Sequence, residues 1–473
     1  MQTTYLMAQL CVLVAFLPIV IDLVKSRRII WDSPLYICSG MIGLFIGIRT
    51  MYIVRNNEYG LIQSLTGSSN PEYYLSRVTS FTLLCLIALL FGFYLVFKPT
   101  RRTIPITLTL SRQMGDGIAR LNRFWLVVIF IFFGFMVYYA KQKLQFSGYG
   151  ETTAYVYLMI QSTVGLLVLA VVYALSNTTH QSRKSLLMYL FIGIAVLIYY
   201  KLIFTTQGRF VLVAPCIAIA ILIFRFDPSS IKVKFILVSL MVAAFLAFTI
   251  AGGLRKASEI SEQGKELNLA QIFEYQSERL MAAEDFNGAE GMAFLVTVFN
   301  DQSGYLWGKS YAAVFWHWIP RKLWPNKPLT MGTHLKGIFL SDSNKVSDTI
   351  NRNSTLGFSP TFLGQNYENF GYIGGIILAF FQGVLLAKIY NFCARRAESV
   401  DIQTLYACFF GFLPALARGG SIAIDLANAV FGFLPILILI GYGGYTRWRN
   451  PRPRFVFRPP QGSPQPQAQN RNI

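Results

Sequence analysis

The chain has 473 residues, of which 54% are hydrophobic and 14% charged, and its formal net charge is +20. Water-soluble domains carry about a quarter charged residues, so this balance excludes a soluble enzyme. The surplus Lys and Arg sit in short connections and in the tail, where topology and anionic lipid account for them, and that placement argues against a nucleic-acid partner.

Apolar runs of about 17 to 25 residues, each able to cross about 30 Å of hydrocarbon as a helix, recur along the chain. In order the predicted spans are 5–24, 34–54, 76–97, 124–140, 153–175, 186–204, 210–226 and 235–251, then 372–392, 402–417 and 426–445. The expected fold is an all-α polytopic membrane protein of about 11 transmembrane helices, with one large outer loop between spans 8 and 9. Its units are 1–251 (spans 1–8), the loop 252–371, 372–446 (spans 9–11) and a basic tail, 447–473.

The basic connections KSRR (25–28), KPTRR (98–102), SRK (182–184), RFDPSSIKVK (225–234) and ARR (394–396) fall on one side, which the positive-inside rule makes the cytoplasm. The N-terminus is then outside and the tail inside. Lys25, Arg27 and Arg28 follow the first span and no basic residue precedes it, the reverse of a cleavable signal peptide, so that span is expected to be retained. The Pro- and Gln-rich tail from Arg452 has no apolar periodicity and is expected to be disordered. Cys11, Cys38, Cys85, Cys216, Cys393 and Cys408 all lie in or beside spans, which leaves the outer segments without a disulfide framework.

The loop 252–371 holds more than half of the 22 acidic residues and is near neutral overall. Leu269, Ile272, Phe273 and Leu280 suit one helix face, as do Met292, Leu295, Val296 and Phe299. The aromatic stretch YLWGKSYAAVFWHWIPR (305–321) follows, and tryptophan at such density suits the headgroup level of a bilayer. Pro320, Pro325 and Pro328 break any helix here and free backbone groups to line a cavity.

Cations at outer span ends run against the positive-inside bias: Arg49, Arg209 in TTQGR, Arg255 in GGLRK and Arg418 in ARGG. Individually they could snorkel to the interface, but together with Arg321 they form a set suited to a pyrophosphate, because guanidinium pairs with phosphate oxygens bidentately. The N-terminus of the ninth span, at NYENFGYIGG (366–375), adds backbone amides that favour an anion, while Gly371 and Gly375 equally suit close helix packing. No G-x-x-x-x-G-K-[ST] phosphate loop or Asp-x-Asp pair is present, and His317 and His334 are too isolated for zinc, so neither a metal nor another cofactor is expected.

QGR (207–209), WIPRKLWPNKP (318–328) and GQNYENFGYIGG (364–375), with the span count and the single long outer loop, resemble the O-antigen polymerases, also called oligosaccharide repeat-unit polymerases. The resemblance covers 200–390 by motif and the first half by topology. It implies an enzyme of the bacterial inner membrane that joins undecaprenyl-pyrophosphate-linked glycans at the periplasmic face, with the N-terminus periplasmic and the C-terminus cytoplasmic. A flippase and a chain-length regulator are the implied partners. The related O-antigen ligases share this architecture, and a ligase or a lipid-linked oligosaccharide flippase are the alternative readings.

In that chemistry Arg209, Arg255, Arg321 and Arg418 would neutralise the departing pyrophosphate, with Lys327 and Arg352 as further phosphate ligands. Glu368 is the first candidate for the general base and His317 the second; Glu368 would equally serve as a helix cap or an arginine partner.

Overall fold

The computed structural model describes residues 1–26, 29–98, 118, 127–129, 131–132, 134–135, 138–139, 162, 164–172, 209–226, 287–299, 304–316, 319, 323–324, 360–419 and 421–449. Among them five helices are long and apolar enough to cross a membrane, or six if a bent pair near the C-terminus forms one span. The chain is an all-α membrane protein. Its labelled helices are α1 (Gln2–Ser26), α2 (Pro34–Asn56), α3 (Gly60–Thr66), α4 (Pro71–Val96), α5 (Arg209–Phe226), α6 (Gly288–Val298), α7 (Lys309–Trp316), α8 (Thr361–Arg395), α9 (Val400–Arg418), α10 (Ile422–Gly432) and α11 (Leu434–Arg449).

Local sequence sets many of these ends. Pro34 and Pro71 open α2 and α4 in the first turn, where a missing N–H leaves no bond unmade. Asn70 accepts from the Tyr73 N–H at 3.3 Å, and Ser399 accepts from the Ile402 N–H at 3.3 Å to cap α9. Asn57 (φ 55°) and Gly67 (φ 61°) end α2 and α3 in the left-handed region. Within α2, Gly43–Ile48 winds as a π-helix, with Gly43 and Gly47 seated so closely on Ala15 and Val12 of α1 that side chains there would collide.

Among the described residues, α4 and α8 make the most extensive helix–helix contact. A Cβ at Gly92 would strike the Phe380 carbonyl oxygen and one at Gly383 the Leu89 carbonyl oxygen, so the two backbones touch where lipid offers no hydrophobic drive for association. Gly383→Leu is therefore expected to force the pair apart, at a cost of at least about 1–3 kcal/mol. The readout is the unfolding midpoint of the detergent-solubilised protein, and an unchanged midpoint would contradict this contact.

Contacts sort the helix ends onto two opposite faces. On one face Thr4 of α1 donates to Glu72 of α4 at 3.5 Å. On the other, Tyr94 donates to the Pro18 carbonyl at 3.0 Å and Asn391 to the Val96 carbonyl at 2.9 Å. This second face carries Lys25, Lys98, Arg225, Arg395 and Arg396, the described members of the basic connections.

A buried ion pair fastens the basic face. Arg225 Nη2 lies 2.5 Å from Asp32 Oδ2, its Nη1 donates to Gln403 Oε1 at 2.5 Å, and its guanidinium stands 4.4 Å from the Tyr406 ring centre. Tyr406 in turn donates to the Asp32 carbonyl at 2.5 Å. The turn before α2 and the ends of α5 and α9 are thereby tied together.

Three features depart from the sequence reading. Helix α8 begins at Thr361, not 372, and breaks at Gly371, whose φ of 67° and ψ of −159° only glycine adopts readily. The predicted span 426–445 is α10 and α11 bent by 66°, at a break next to Gly432 and Pro435, where proline cannot continue the hydrogen-bond ladder. Helix α6, expected in the outer loop with one apolar face, has Gly288 through Val296 all buried, and a Cβ at Gly288 would lie 3.0 Å from the Phe45 carbonyl oxygen of α2. The predicted spans 186–204 and 235–251, about half of 124–140, most of 153–175, and the tail beyond 449 lie outside the described residues.

Candidate functional site

On the face opposite the basic ends, α8 is two limbs. The Asn366 side-chain amide reaches the Gly375 carbonyl at 3.4 Å, although residues nine apart in a straight helix would be separated by about 13 Å. The chain therefore doubles back at Gly371 and lays residues 361–370 beside the long limb. The Tyr305 ring packs on this bend, where a Cβ would meet it at 2.6 Å, and Tyr305 also lies 6.2 Å from Tyr367. The Leu306 and Trp307 N–H groups donate to the Glu368 and Asn369 carbonyls at 3.1 and 2.9 Å, satisfying backbone groups at the end of the short limb.

The short limb is polar yet buried: Gln365, Asn366, Glu368 and Asn369 all have no exposed surface. Gln365 and Asn369 donate to the Ser310 hydroxyl at 3.0 and 2.6 Å. Asn366 and Gln382 exchange two amide hydrogen bonds, each 2.9 Å, and Tyr311 donates to Asn366 Oδ1. Burial above all, and then the Glu368 carboxylate, push the Tyr311 phenol up against an opposing hydrogen bond from Gln382, which keeps it protonated as a donor. Gln365 Oε1 accepts from the Ile422 N–H at 2.9 Å and so couples the limb to the start of α10.

Charged groups adjoin this cluster. Arg49, directly after the π-helical turn, is 7% exposed, and its Nε and Nη2 both donate to Glu290 Oε1, at 2.9 and 2.6 Å. Arg418 lies 5.7 Å from the ring centre of Phe45, one turn from Arg49, and its charge acts on Asp425, which packs on Gly419. Beside them the exposed side chains of Trp307, Phe315, Leu323 and Trp324 form an apolar fringe of the kind that suits headgroup depth.

Of the residues singled out from sequence, Glu368 is at the centre of the buried limb and Arg418 is half-buried four residues before Ile422. Arg209 opens α5 on the same face as Arg418, because α5 runs antiparallel to α9. His317, Arg255, Arg321, Lys327 and Arg352 lie outside the described residues. Arg49 is held by a carboxylate instead of snorkelling. The reading of the ninth-span start as open amides facing outward is corrected, since residues 366–370 are helical and 366–369 are buried.

Sequence reasoning missed Glu290, Ser310, Tyr311, Gln365, Asn369 and Gln382. An acidic residue inside the apolar run GAEGMAFLVTVF and a glutamine inside AFFQGVLLA were the available signals. Among the described residues no three His, Cys, Asp or Glu side chains gather as metal ligands. No protein family, curated protein or solved structure matches the chain.

Proposed function

We propose that this protein is a lipid-linked oligosaccharide transferase that polymerises undecaprenyl-pyrophosphate-linked repeat units, as its resemblance to the O-antigen polymerases implies. One observation carries the reading: the first half of GQNYENFGYIGG, Gly364 to Asn369, lies in a buried, polar, back-folded limb on the face opposite the basic helix ends, with Arg418 close by. By the positive-inside rule the basic face is cytoplasmic, so the limb faces the periplasm, where flipped lipid-linked units arrive.

The acceptor hydroxyl attacks the anomeric carbon of the donor sugar, and the bond from that carbon to the pyrophosphate oxygen breaks, its electron pair leaving with the phosphate. Glu368, or His317 in its place, takes the hydroxyl proton. Arg418, Arg209, Arg255 and Arg321, with Lys327 and Arg352, stabilise the charge that builds on the leaving group. No metal is required by this scheme. The product stays in the inner membrane on its lipid carrier, ready for another cycle and for regulation of chain length by a partner.

Broken helices are also the parts from which transporters build binding sites, so movement of the lipid-linked unit without bond formation is the second reading. The glycan length distribution of cells lacking the protein separates the two. Loss of the ladder with a surviving single-repeat band is the expected result, whereas loss of every glycan-bearing band points to a ligase or a flippase.

A further inference from the structure

We infer that Glu290 is a ligand-binding residue of this site, accepting a hydrogen bond from a hydroxyl of the bound glycan. The inference rests on the transferase reading for the identity of the glycan, and on the geometry of the Arg49–Glu290 pair for the site itself. An arginine that merely neutralises a buried carboxylate usually forms two parallel bonds, one to each oxygen. Here the Arg49 Nε and Nη2 groups both donate to Oε1, and Glu290 Oε2 has no hydrogen-bond donor among the described residues although the residue is 1% exposed. A buried acceptor left so carries the full cost of its desolvation, so this oxygen is built to receive something from outside the chain.

The chemistry of the buried oxygens says what. Glu290 Oε2 and Asn369 Oδ1 can only accept, and the Ser421 hydroxyl can do either; all three atoms are buried and have no hydrogen-bond partner among the described residues. A phosphate oxygen offers acceptors alone and cannot satisfy the first two. A sugar, with several hydroxyl donors, can.

Helix α6 places this acceptor beside the anion end of the site. Gly288 packs on the Phe45 backbone, and the Phe45 ring carries Arg418 at 5.7 Å. One ligand with a pyrophosphate and a sugar would thus set its charge toward Arg418 and its hydroxyls toward Glu290. Arg49 then belongs to the glycan side and is not a pyrophosphate ligand.

The test uses the full chain in lipid nanodiscs and two probes: undecaprenyl pyrophosphate without glycan, and the lipid-linked glycan fraction extracted from cells lacking the protein. The readout is ligand-induced thermal stabilisation, which reports binding whether or not turnover occurs. The double variant Arg49→Gln/Glu290→Gln carries no lone buried charge and turns the acceptor at Oε2 into an amide donor. Glu290→Asp keeps the ion pair and withdraws the acceptor by one bond, so it tests the same point if the double variant does not fold.

For either variant the expected result is normal affinity for the bare carrier and affinity for the glycan fraction weakened by about ten-fold or more. A folded variant that binds the glycan fraction as the wild type does would overturn the inference. Wild-type protein that binds the glycan fraction through Glu290 yet never elongates it would overturn the polymerase reading and leave the site standing.

Discussion

Glu368→Gln is expected to lower turnover of lipid-linked glycan by about a hundred-fold or more while leaving carrier binding within a few-fold of wild type. The substitution keeps the shape of the side chain in a limb where Glu368 has no exposed surface, and it removes the carboxylate's charge and with it the capacity to take a proton. The hydrogen bond that the Glu368 carbonyl accepts from Leu306 and those of the Gln365, Asn366 and Asn369 side chains are not touched by the substitution. A full turnover number in Glu368→Gln, with a normal unfolding midpoint, would make this residue a structural member of the limb and leave His317 as the remaining sequence candidate.

Arg225→Met should destabilise the folded protein by about 3–5 kcal/mol, because it leaves Asp32 buried without its counter-charge. The second variant, Arg225→Met/Asp32→Asn, should recover much of that loss, since replacing both members of a buried pair is far cheaper than removing one. Both effects are read from unfolding midpoints, and because this pair lies on the face opposite the proposed site, specific turnover of the folded fraction should stay near wild type. Equal midpoints for Arg225→Met and the wild type would mean that the pair contributes nothing to holding α5, α9 and the turn before α2 together.

These two sites differ in how far they could be read from sequence. The ends of α1, α2, α5 and α9 fall within a few residues of the expected spans, because an apolar run bounded by proline or basic residues marks its own limits. The start of α8 does not. Gln365, Asn366, Glu368 and Asn369 lower the local hydropathy, and hydropathy alone treats polar residues as facing water, whereas here their amides bond to Ser310 and Gln382 inside the protein. The motif stands out in the sequence, but its folding back does not, since Gly371 permits a left-handed bend without demanding one.

Pairings distant in sequence were also beyond reach. Arg49 and Glu290 are 241 positions apart, and nothing local says that a glutamate in a near-neutral hydrophilic segment enters the bundle to meet an arginine of α2. The π-helical turn before Arg49 has the sequence GLFIGI, indistinguishable in composition from an ordinary apolar turn. By contrast, the basic residues of these connections that are described, Lys25, Lys98, Arg225, Arg395 and Arg396, lie on one face, because the bias acts on each connection separately and needs no knowledge of packing.

The most direct measurement is on the purified chain in lipid nanodiscs, supplied with the lipid-linked glycan fraction from cells lacking it and followed by mass spectrometry of the glycans. The account predicts lipid-linked products spaced by whole repeat units, with one undecaprenyl pyrophosphate released for each bond formed. Glycans that emerge at their original length, with no carrier released, would contradict it.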